Sequence, residues 1–135
     1  MGTLNVNLIA DNGGGNSVNI KGAGTTDSSL DQGLIKCFAV LDGRSTPSFY
    51  KSHNSSSISD QGTGDYRLVF TNGFTDKNYC AISGHEHTVS DSGCNAPVSQ
   101  SDGTHTTAQA RIQCIENGAA RDPIFHNTII LGDLA

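Results

Sequence analysis

Residues 55–80 read SSSISDQGTGDYRLVFTNGFTDKNYC, and this stretch decides the fold. At its centre, Tyr66, Leu68 and Phe70 alternate with more polar neighbours. A period of two residues is typical of a β-strand with one buried face. We therefore predict that these three side chains enter a hydrophobic core, while the other face of the strand meets solvent or a neighbouring subunit. Phe74 and Tyr79 are expected to anchor the corner that follows.

The residues just before this strand, Asp60, Gly62, Gly64 and Asp65, allow two interpretations. Two carboxylates that flank glycines resemble part of a calcium loop, but the Glu of the twelfth loop position is missing, and Ca²⁺ takes about six to eight oxygen ligands. A β-turn with glycines at positive φ explains the same residues without an ion. We predict this structural turn, in which Gly64→Val costs stability if Gly64 holds positive φ, and Asp65→Asn leaves a calcium-free melting curve nearly unchanged.

The composition favours β-structure along the rest of the chain. Its 135 residues include 16 glycines but only two glutamates, so good helix formers are scarce and turn formers abundant. From residue 33 onward, short apolar runs are bounded by Gly, Asp, Asn or Pro, with no amphipathic helix between them. The pattern predicts an all-β domain over residues 33–135, an antiparallel sandwich or meander. The predicted strands are 34–43, 48–53, 55–59, 65–72, 77–84, 106–117 and 125–133.

Residues 1–32 are expected to form an extended β-arm and a linker. LNVNLI and SVNIK both alternate apolar with polar residues on either side of the turn DNGGGNS. A two-stranded ribbon is marginally stable in water, so the arm is expected to pair with the sheet edge of a partner chain. The stretch 22–33 reads as a loop with at most one helical turn, starting at Asp27 or Ser28. The arm residues predicted to contact the partner are Leu4, Val6, Leu8, Val18 and Ile20.

Charge and hydropathy exclude two classes of partner. The formal net charge is −5, and the eight Lys and Arg residues are scattered, so no basic surface for a nucleic acid or an anionic membrane is expected. No stretch approaches the roughly 20 apolar residues of a membrane span, and the N-terminus lacks the basic and apolar regions of a secretion signal. We expect a soluble protein made in a reducing compartment.

The four cysteines are expected to be free thiols. Cys37, Cys80 and Cys114 lie in apolar runs, where a free thiol usually acts as a small core hydrophobe, and Cys94 is expected in an exposed loop. No C-x-x-C pair is present, so the spacing is not a zinc signature. A disulfide or a ligand role stays open as an alternative.

Two histidines form the sharpest candidate for chemistry, although no cofactor is predicted. His85 and His87 are two residues apart, so in a strand both imidazoles point to one side and could bind one metal ion. The alternative is that both lie in a polar loop. Ser101, Asp102 and His105 are close in sequence, but no nucleophile elbow accompanies them, so we expect no enzymatic activity.

Carbohydrate binding is an alternative function. Phe49, Tyr50 and His53 are the clustered aromatic residues nearest to a loop, and lectins can bind sugars through Asn, Asp and Tyr without any Trp. Such aromatic residues are more often part of the core. This alternative would need a surface that presents them together.

The combination of ISDQGTGDYRLVFT at 58–71 with NYCAI at 78–82 resembles a small β-domain of tailed-bacteriophage virion proteins, especially of marine phages and cyanophages. That domain often lies at the C-terminus of tail or head fibre proteins. LIKCFAVLDG upstream is similar to its opening strand, and DPIFHNTIILGDLA to its last strand. The resemblance covers residues 33–135. Trimeric phage fibres bind iron through Gly-x-His-x-His, whereas here Gly84 directly precedes His85.

The resemblance implies a homotrimeric structural protein of a phage virion, assembled in the host cytoplasm, with no catalytic residues. Because residues 1–32 are expected to form an arm instead of a long fibre shaft, a capsid decoration (cement) protein or short head fibre is favoured. Its partners would be copies of itself and the major capsid protein or another virion protein. The alternative is a tail-fibre or tail-knob module that binds a glycan on the host surface.

Overall fold

The computed structural model describes residues 34–86 and 105–135 and, outside these, only the backbone of three short strands. The chain divides into two compact units, residues 1–34 and 35–135. In the described part of the chain every regular element is a strand, and no helix is long and apolar enough to span a membrane. The predicted all-β class is therefore confirmed for these residues.

The first unit contains one antiparallel pair of short strands, β1 (Asn19–Lys21) and β2 (Asp27–Ser29), with Ile20 opposite Ser28. The predicted helical turn at Asp27 or Ser28 is wrong, because these residues form a strand whose backbone groups pair across the ladder. Of the arm residues, Ile20 lies in β1. The other four, Leu4, Val6, Leu8 and Val18, lie outside the described residues.

The second unit is built from two main antiparallel sheets and one small two-stranded sheet. The five-stranded sheet has the order β4-β3-β12-β7-β8, and the three-stranded sheet has the order β5-β6-β9. The small sheet pairs β10 with β11. The strands are β3 (Cys37–Asp42), β4 (Ser48–His53), β5 (Ser55–Gly62), β6 (Asp65–Phe70), β7 (Cys80–Glu86), β8 (Cys94–Asn95), β9 (Gln109–Gln113), β10 (Ile115–Glu116), β11 (Ala119–Ala120) and β12 (Phe125–Leu131).

The last strand, β12, is the centre of the larger sheet. It pairs with β3 on one side and with β7 on the other, so strands far apart in sequence become neighbours. A simple meander would place consecutive strands side by side throughout. Of the two predicted architectures, the two-layer sandwich is the one observed.

The core lies between the two main sheets. The larger sheet contributes buried side chains from β3 and β12, and the smaller sheet contributes buried side chains from β6 and β9. Tyr66 and Leu68 are 0% exposed and Phe70 is 6% exposed, which confirms the predicted buried face of this strand. Each fully buried Leu, Ile or Phe stabilises the fold by about 1.5–3 kcal/mol relative to an exposed one. The cluster comprises Cys37, Ala39, Leu41, Leu68, Phe70, Phe74, Tyr79, Ala110, Ile112 and Ile130.

Three aromatic rings close one corner of this core. Phe74 lies 4.9 Å from Phe70 and 4.7 Å from Tyr79 between ring centroids. The Tyr79 hydroxyl donates to the Gln109 carbonyl oxygen at 2.9 Å, so its polar end is satisfied while the ring stays buried. The prediction that Phe74 and Tyr79 anchor this corner is confirmed.

The described cysteines are free thiols, but they do not share one environment. Cys37 and Cys114 are buried, as predicted. Cys80 is exposed, so its predicted core role is wrong. The reason is the alternation of the strand: Tyr79 points inward, and the next residue must therefore point outward.

Candidate functional site

The turn at Asp60 to Asp65 has the predicted glycine conformation. Gly62 has φ +127° and Gly64 has φ +65°, both in the region that L-residues rarely adopt. The Asp60 carboxylate accepts a hydrogen bond from the Gly62 backbone N–H at 2.9 Å. This carboxylate is therefore engaged in shaping the turn.

Gly64 also fixes the distance between this turn and the chain after β9. Its N–H donates to the Asp122 carboxylate at 2.8 Å, and its carbonyl oxygen accepts from the Cys114 N–H at 2.8 Å. A Cβ at this position would lie 2.6 Å from the Cys114 carbonyl oxygen. The missing side chain thus permits close packing of two backbones.

Asp122 connects this turn to the core. No role for this residue was predicted from the sequence. The Tyr66 hydroxyl donates to the Asp122 carboxylate at 2.7 Å, and the Gly43 carbonyl oxygen lies 2.9 Å from the same hydroxyl. Burial and the nearby carboxylate raise the pKa of Tyr66. The hydroxyl therefore stays protonated and remains a donor. A lone Asp beside a Pro gives no sequence signal for this role.

Asp65 forms ion pairs that the sequence does not predict. Its carboxylate accepts from Arg111 Nε at 2.8 Å and from Arg67 Nη1 at 3.2 Å. The hydrogen bonds from Arg111 hold the pKa of Asp65 below its usual range. The Asp65 carboxylate is therefore hydrogen-bonded to two guanidinium groups. For this reason Asp65→Asn is now expected to lower stability, contrary to the expectation from the sequence.

His85 lies in strand β7 and is buried, so the polar-loop interpretation is wrong for this residue. It stands directly opposite His126 of β12 in the antiparallel ladder, and the two rings lie nearly parallel with centroids 6.3 Å apart. Cys114, just after β9, completes the group: one Nδ or Nε atom of each imidazole and the thiol Sγ all lie within 4.8 Å of one another. The second predicted histidine, His87, lies outside the described residues.

Hydrogen bonds orient the imidazole of His126. Its Nε2 lies 2.7 Å from Thr128 Oγ1, and its Nδ1 lies 3.1 Å from Cys114 Sγ. Burial, together with the neighbouring His85, lowers the pKa of His126 to about 3, and burial with the nearby Asp122 raises the pKa of Cys114 to about 12. Cys114 and His126 are therefore both uncharged near neutral pH.

His105 is buried elsewhere, with its ring 4.2 Å from the Tyr79 ring between centroids. Neither of its ring nitrogens has a hydrogen-bond partner within the described ranges. Burial, together with the positive charge of Lys77, lowers its pKa. The two residues that precede it in the sequence motif, Ser101 and Asp102, lie outside the described residues.

Several apolar side chains are exposed on the five-stranded sheet, on the side that points away from the core. We call this side the outer face. Ile129 of β12 stands opposite Phe38 of β3 and Ile82 of β7, so one apolar row crosses three strands. Ile82 is 61% exposed. The large apolar residues of the outer face are Phe38, Val40, Tyr50, Ile82, Phe125 and Ile129.

A β-bulge in β4 determines which aromatic residues reach the outer face. The register with β3 shifts between Val40 and Leu41, so Tyr50 and Lys51 are both exposed while Phe49 packs against the core. The three aromatic residues proposed for sugar binding are thus separated. His53 stacks on Phe38 with ring centroids 5.8 Å apart.

Tyr50 instead forms an aromatic pair with Phe125 of β12, with ring centroids 4.8 Å apart. Its hydroxyl donates to Asp42 Oδ2 at 3.0 Å, and Asp42 also accepts from Arg44 at 2.7 Å. The Arg44 hydrogen bonds hold the pKa of Asp42 well below its usual range. An exposed aromatic pair with an ion pair beside it is present at this corner of the outer face.

A scan against protein-family models and searches of curated proteins and of solved structures gave no match.

Proposed function

We propose that this protein is a non-enzymatic structural protein of a tailed-phage virion that assembles with copies of itself through the outer face. The virion assignment is supported by the sequence resemblance of residues 58–71 and 78–82. The most favoured role is a capsid decoration protein or short head fibre that stabilises the particle. A homotrimer is the assembly that the resemblance implies.

The single observation that carries self-association is the apolar row on the five-stranded sheet, in which Ile82 and Ile129 are exposed and Phe38 is half-buried. Soluble monomers rarely expose contiguous apolar patches larger than a few hundred Å². Phe38, Ile82 and Ile129 are adjacent members of this row, with ladder pairing between them. Covering them with another subunit would remove apolar surface from water, which is the main driving force of association.

Charges on the outer face can add to such a contact. Lys51 stands opposite Val40 on the β4 side, and Glu86 stands opposite Phe125 on the β7 side. Opposite charges on two sides of one face can pair between copies of the chain. The number of copies, three, is proposed from the sequence resemblance alone.

The remaining parts of the proposal concern other virion proteins. Residues 1–32 are proposed to add a strand to the sheet edge of a neighbouring virion protein, such as the major capsid protein. Electron microscopy of phage particles labelled with an antibody against this chain tests the virion assignment. Label on intact particles is expected, and particles without label would contradict it.

Light scattering tests the self-association. We expect three times the 14.1 kDa chain mass at micromolar concentration. Ile82→Glu places a charge in the apolar row and should shift the mass toward one chain, because a buried unpaired carboxylate is costly. Ile115→Glu is the matched control, since Ile115 is also exposed, at 36%, but lies in β10. A monomeric wild type, or equal effects of both variants, would contradict the proposal.

A second candidate function, glycan binding, is favoured by the pair of Tyr50 and Phe125 beside the ion pair of Asp42 and Arg44. Aromatic rings pack against sugar faces, and charged groups hydrogen-bond sugar hydroxyls. A glycan array tests this candidate. Binding that is lost in Tyr50→Ala and kept in Tyr50→Phe would support it, and an array without signal would remove it.

A further inference from the structure

His85, Cys114 and His126 bring metal-ligand atoms from both layers of the sandwich to one buried place. The two histidines come from neighbouring strands of the five-stranded sheet, where they form a directly opposed pair. The cysteine comes from the end of the three-stranded sheet, one residue beyond β9. An ion held by all three would cross-link the two sheets.

We propose that these three residues bind one thiophilic transition-metal ion of the zinc or copper class. Donor atoms that lie no more than 4.8 Å apart can all be within about 2.8 Å of one central point. Zinc–nitrogen and zinc–sulfur bonds are roughly 2.0–2.3 Å long, so inward movements of about 0.5–0.8 Å would complete the coordination. Two imidazoles and a thiolate select zinc or copper over Mg²⁺ and Ca²⁺, which prefer oxygen ligands.

The surroundings hold two of the donors in a suitable orientation. With the His126 proton on Nε2, this N–H donates to Thr128 Oγ1, and the lone pair of Nδ1 faces Cys114 Sγ. Metal-bound histidines usually donate their second ring N–H in this manner. The backbone of Cys114 is fixed on both sides, because its N–H donates to Gly64 and its carbonyl oxygen accepts from Arg121.

The alternative explanation of the same geometry is a plain S–H···N hydrogen bond in an uncharged core. The two explanations differ in whether the thiol proton is released to solvent. Binding of a divalent ion replaces the thiol proton, so the S–H bond breaks, a sulfur–metal bond forms, and one proton per chain goes to solvent. A hydrogen bond alone gives neither stoichiometric metal nor proton release. The inference does not depend on the virion role or on the oligomeric state.

The test uses the full chain with Cys80→Ser, which removes the thiol that is exposed among the described residues and could bind metal adventitiously. The reduced protein is stripped with a chelator and titrated with Zn²⁺, with Co²⁺ as a spectroscopic substitute for zinc, and with copper. We expect about one ion per chain by elemental analysis and a thiolate-to-metal absorption band with Co²⁺ or Cu²⁺. With the free ion at about a hundred times its Kd, the melting temperature should rise by roughly 5–10 °C.

Two variants locate the site, and one matched variant controls for the loss of a buried thiol. Cys114→Ser and His85→Gln should each lose stoichiometric binding and the absorption band. Cys37→Ser should keep both, because Cys37 is equally buried but lies outside the cluster. Circular dichroism of His85→Gln, which retains the thiol, shows whether the fold survives in at least one ligand variant.

The outcomes decide between the explanations. A band and one equivalent of Co²⁺ that depend on Cys114 and His85 support a zinc site, and the same dependence with copper alone supports a copper site. Substoichiometric metal in the wild-type cluster with an unchanged melting temperature would overturn the proposal. Equal binding by folded His85→Gln and by Cys37→Ser would also overturn it, because the ion would then be held elsewhere.

Discussion

At the scale of single residues, Gly64 shows how a missing side chain can determine a tertiary contact. Two other described residues with positive φ, Gly62 and Gly118, have no atom within 4 Å of a hypothetical Cβ. Gly64 has three backbone atoms within 2.8 Å of that position, from Cys114 and Arg121. Positive φ alone would lower the stability of a substituted protein modestly. At Gly64, an added Cβ would in addition force the two neighbouring backbone segments apart.

We therefore expect Gly64→Ala to destabilise the fold by at least about 2–3 kcal/mol, because positive-φ strain and overpacking add. Gly118→Ala should cost only about 1 kcal/mol, since its φ of +80° is strained but its surroundings are open. Urea denaturation of the two variants measures the difference. Equal costs would show that conformation, not packing, explains the glycine at position 64.

At the scale of elements, the pairing of β6 with β9 depends on an acidic residue between two basic ones. The register places Arg67 directly opposite Arg111, and like charges in such a pair are destabilising. Asp65 lies at the start of β6 and accepts hydrogen bonds from both guanidinium groups. One carboxylate thus converts a repulsive cross-strand pair into a three-residue ionic group.

Asp65→Asn should cost about 1–2 kcal/mol, because it removes charge-assisted hydrogen bonds and leaves the two arginines opposed. Asp42→Asn is the matched control: Asp42 also pairs with an arginine, but Arg44 is two residues away and more than half exposed. Such surface pairs contribute about 0–1 kcal/mol. Thermal unfolding at neutral pH compares the variants, and a larger loss in Asp42→Asn would contradict the role of Asp65.

At the scale of the whole molecule, stability should depend on pH through buried histidine. The lowered pKa of His105 means that the folded protein keeps this imidazole neutral at pH values where the unfolded chain, with a pKa near 6.5, already binds a proton. The unfolded state therefore binds more protons on acidification. The stabilising contribution is complete above about pH 6.5 and is lost as pH falls below it.

We expect the free energy of unfolding to fall by up to about 1.4 kcal/mol per pH unit from this one residue below pH 6.5. His105→Phe keeps a ring against Tyr79 and removes the titration, so its stability should decline less between pH 6.5 and 5. Urea denaturation across this range, with a chelator present, measures both proteins. Parallel declines would show that His105 does not contribute.

Much of the fold could be predicted from local patterns. The alternation around Leu68 predicts which face of β6 is buried, because side chains in a strand point alternately to opposite sides. The apolar run around Cys80 predicts a core position for this thiol, whereas the inward position belongs to Tyr79. The spacing of apolar residues indicates the buried face where one face is clearly the more apolar, as in β6, but not where an apolar run occupies both faces, as around Cys80.

The sequence by itself determined the all-β class, the glycine turn and the main buried strand, since these depend on neighbours within a few residues. The tertiary structure alone decided that β12 lies between β3 and β7, and hence that His126 stands opposite His85 and near Cys114. It also decided that Asp65 meets Arg111. These contacts join residues 12 to 46 positions apart, and strand order is fixed by packing of the complete core, which no local pattern encodes.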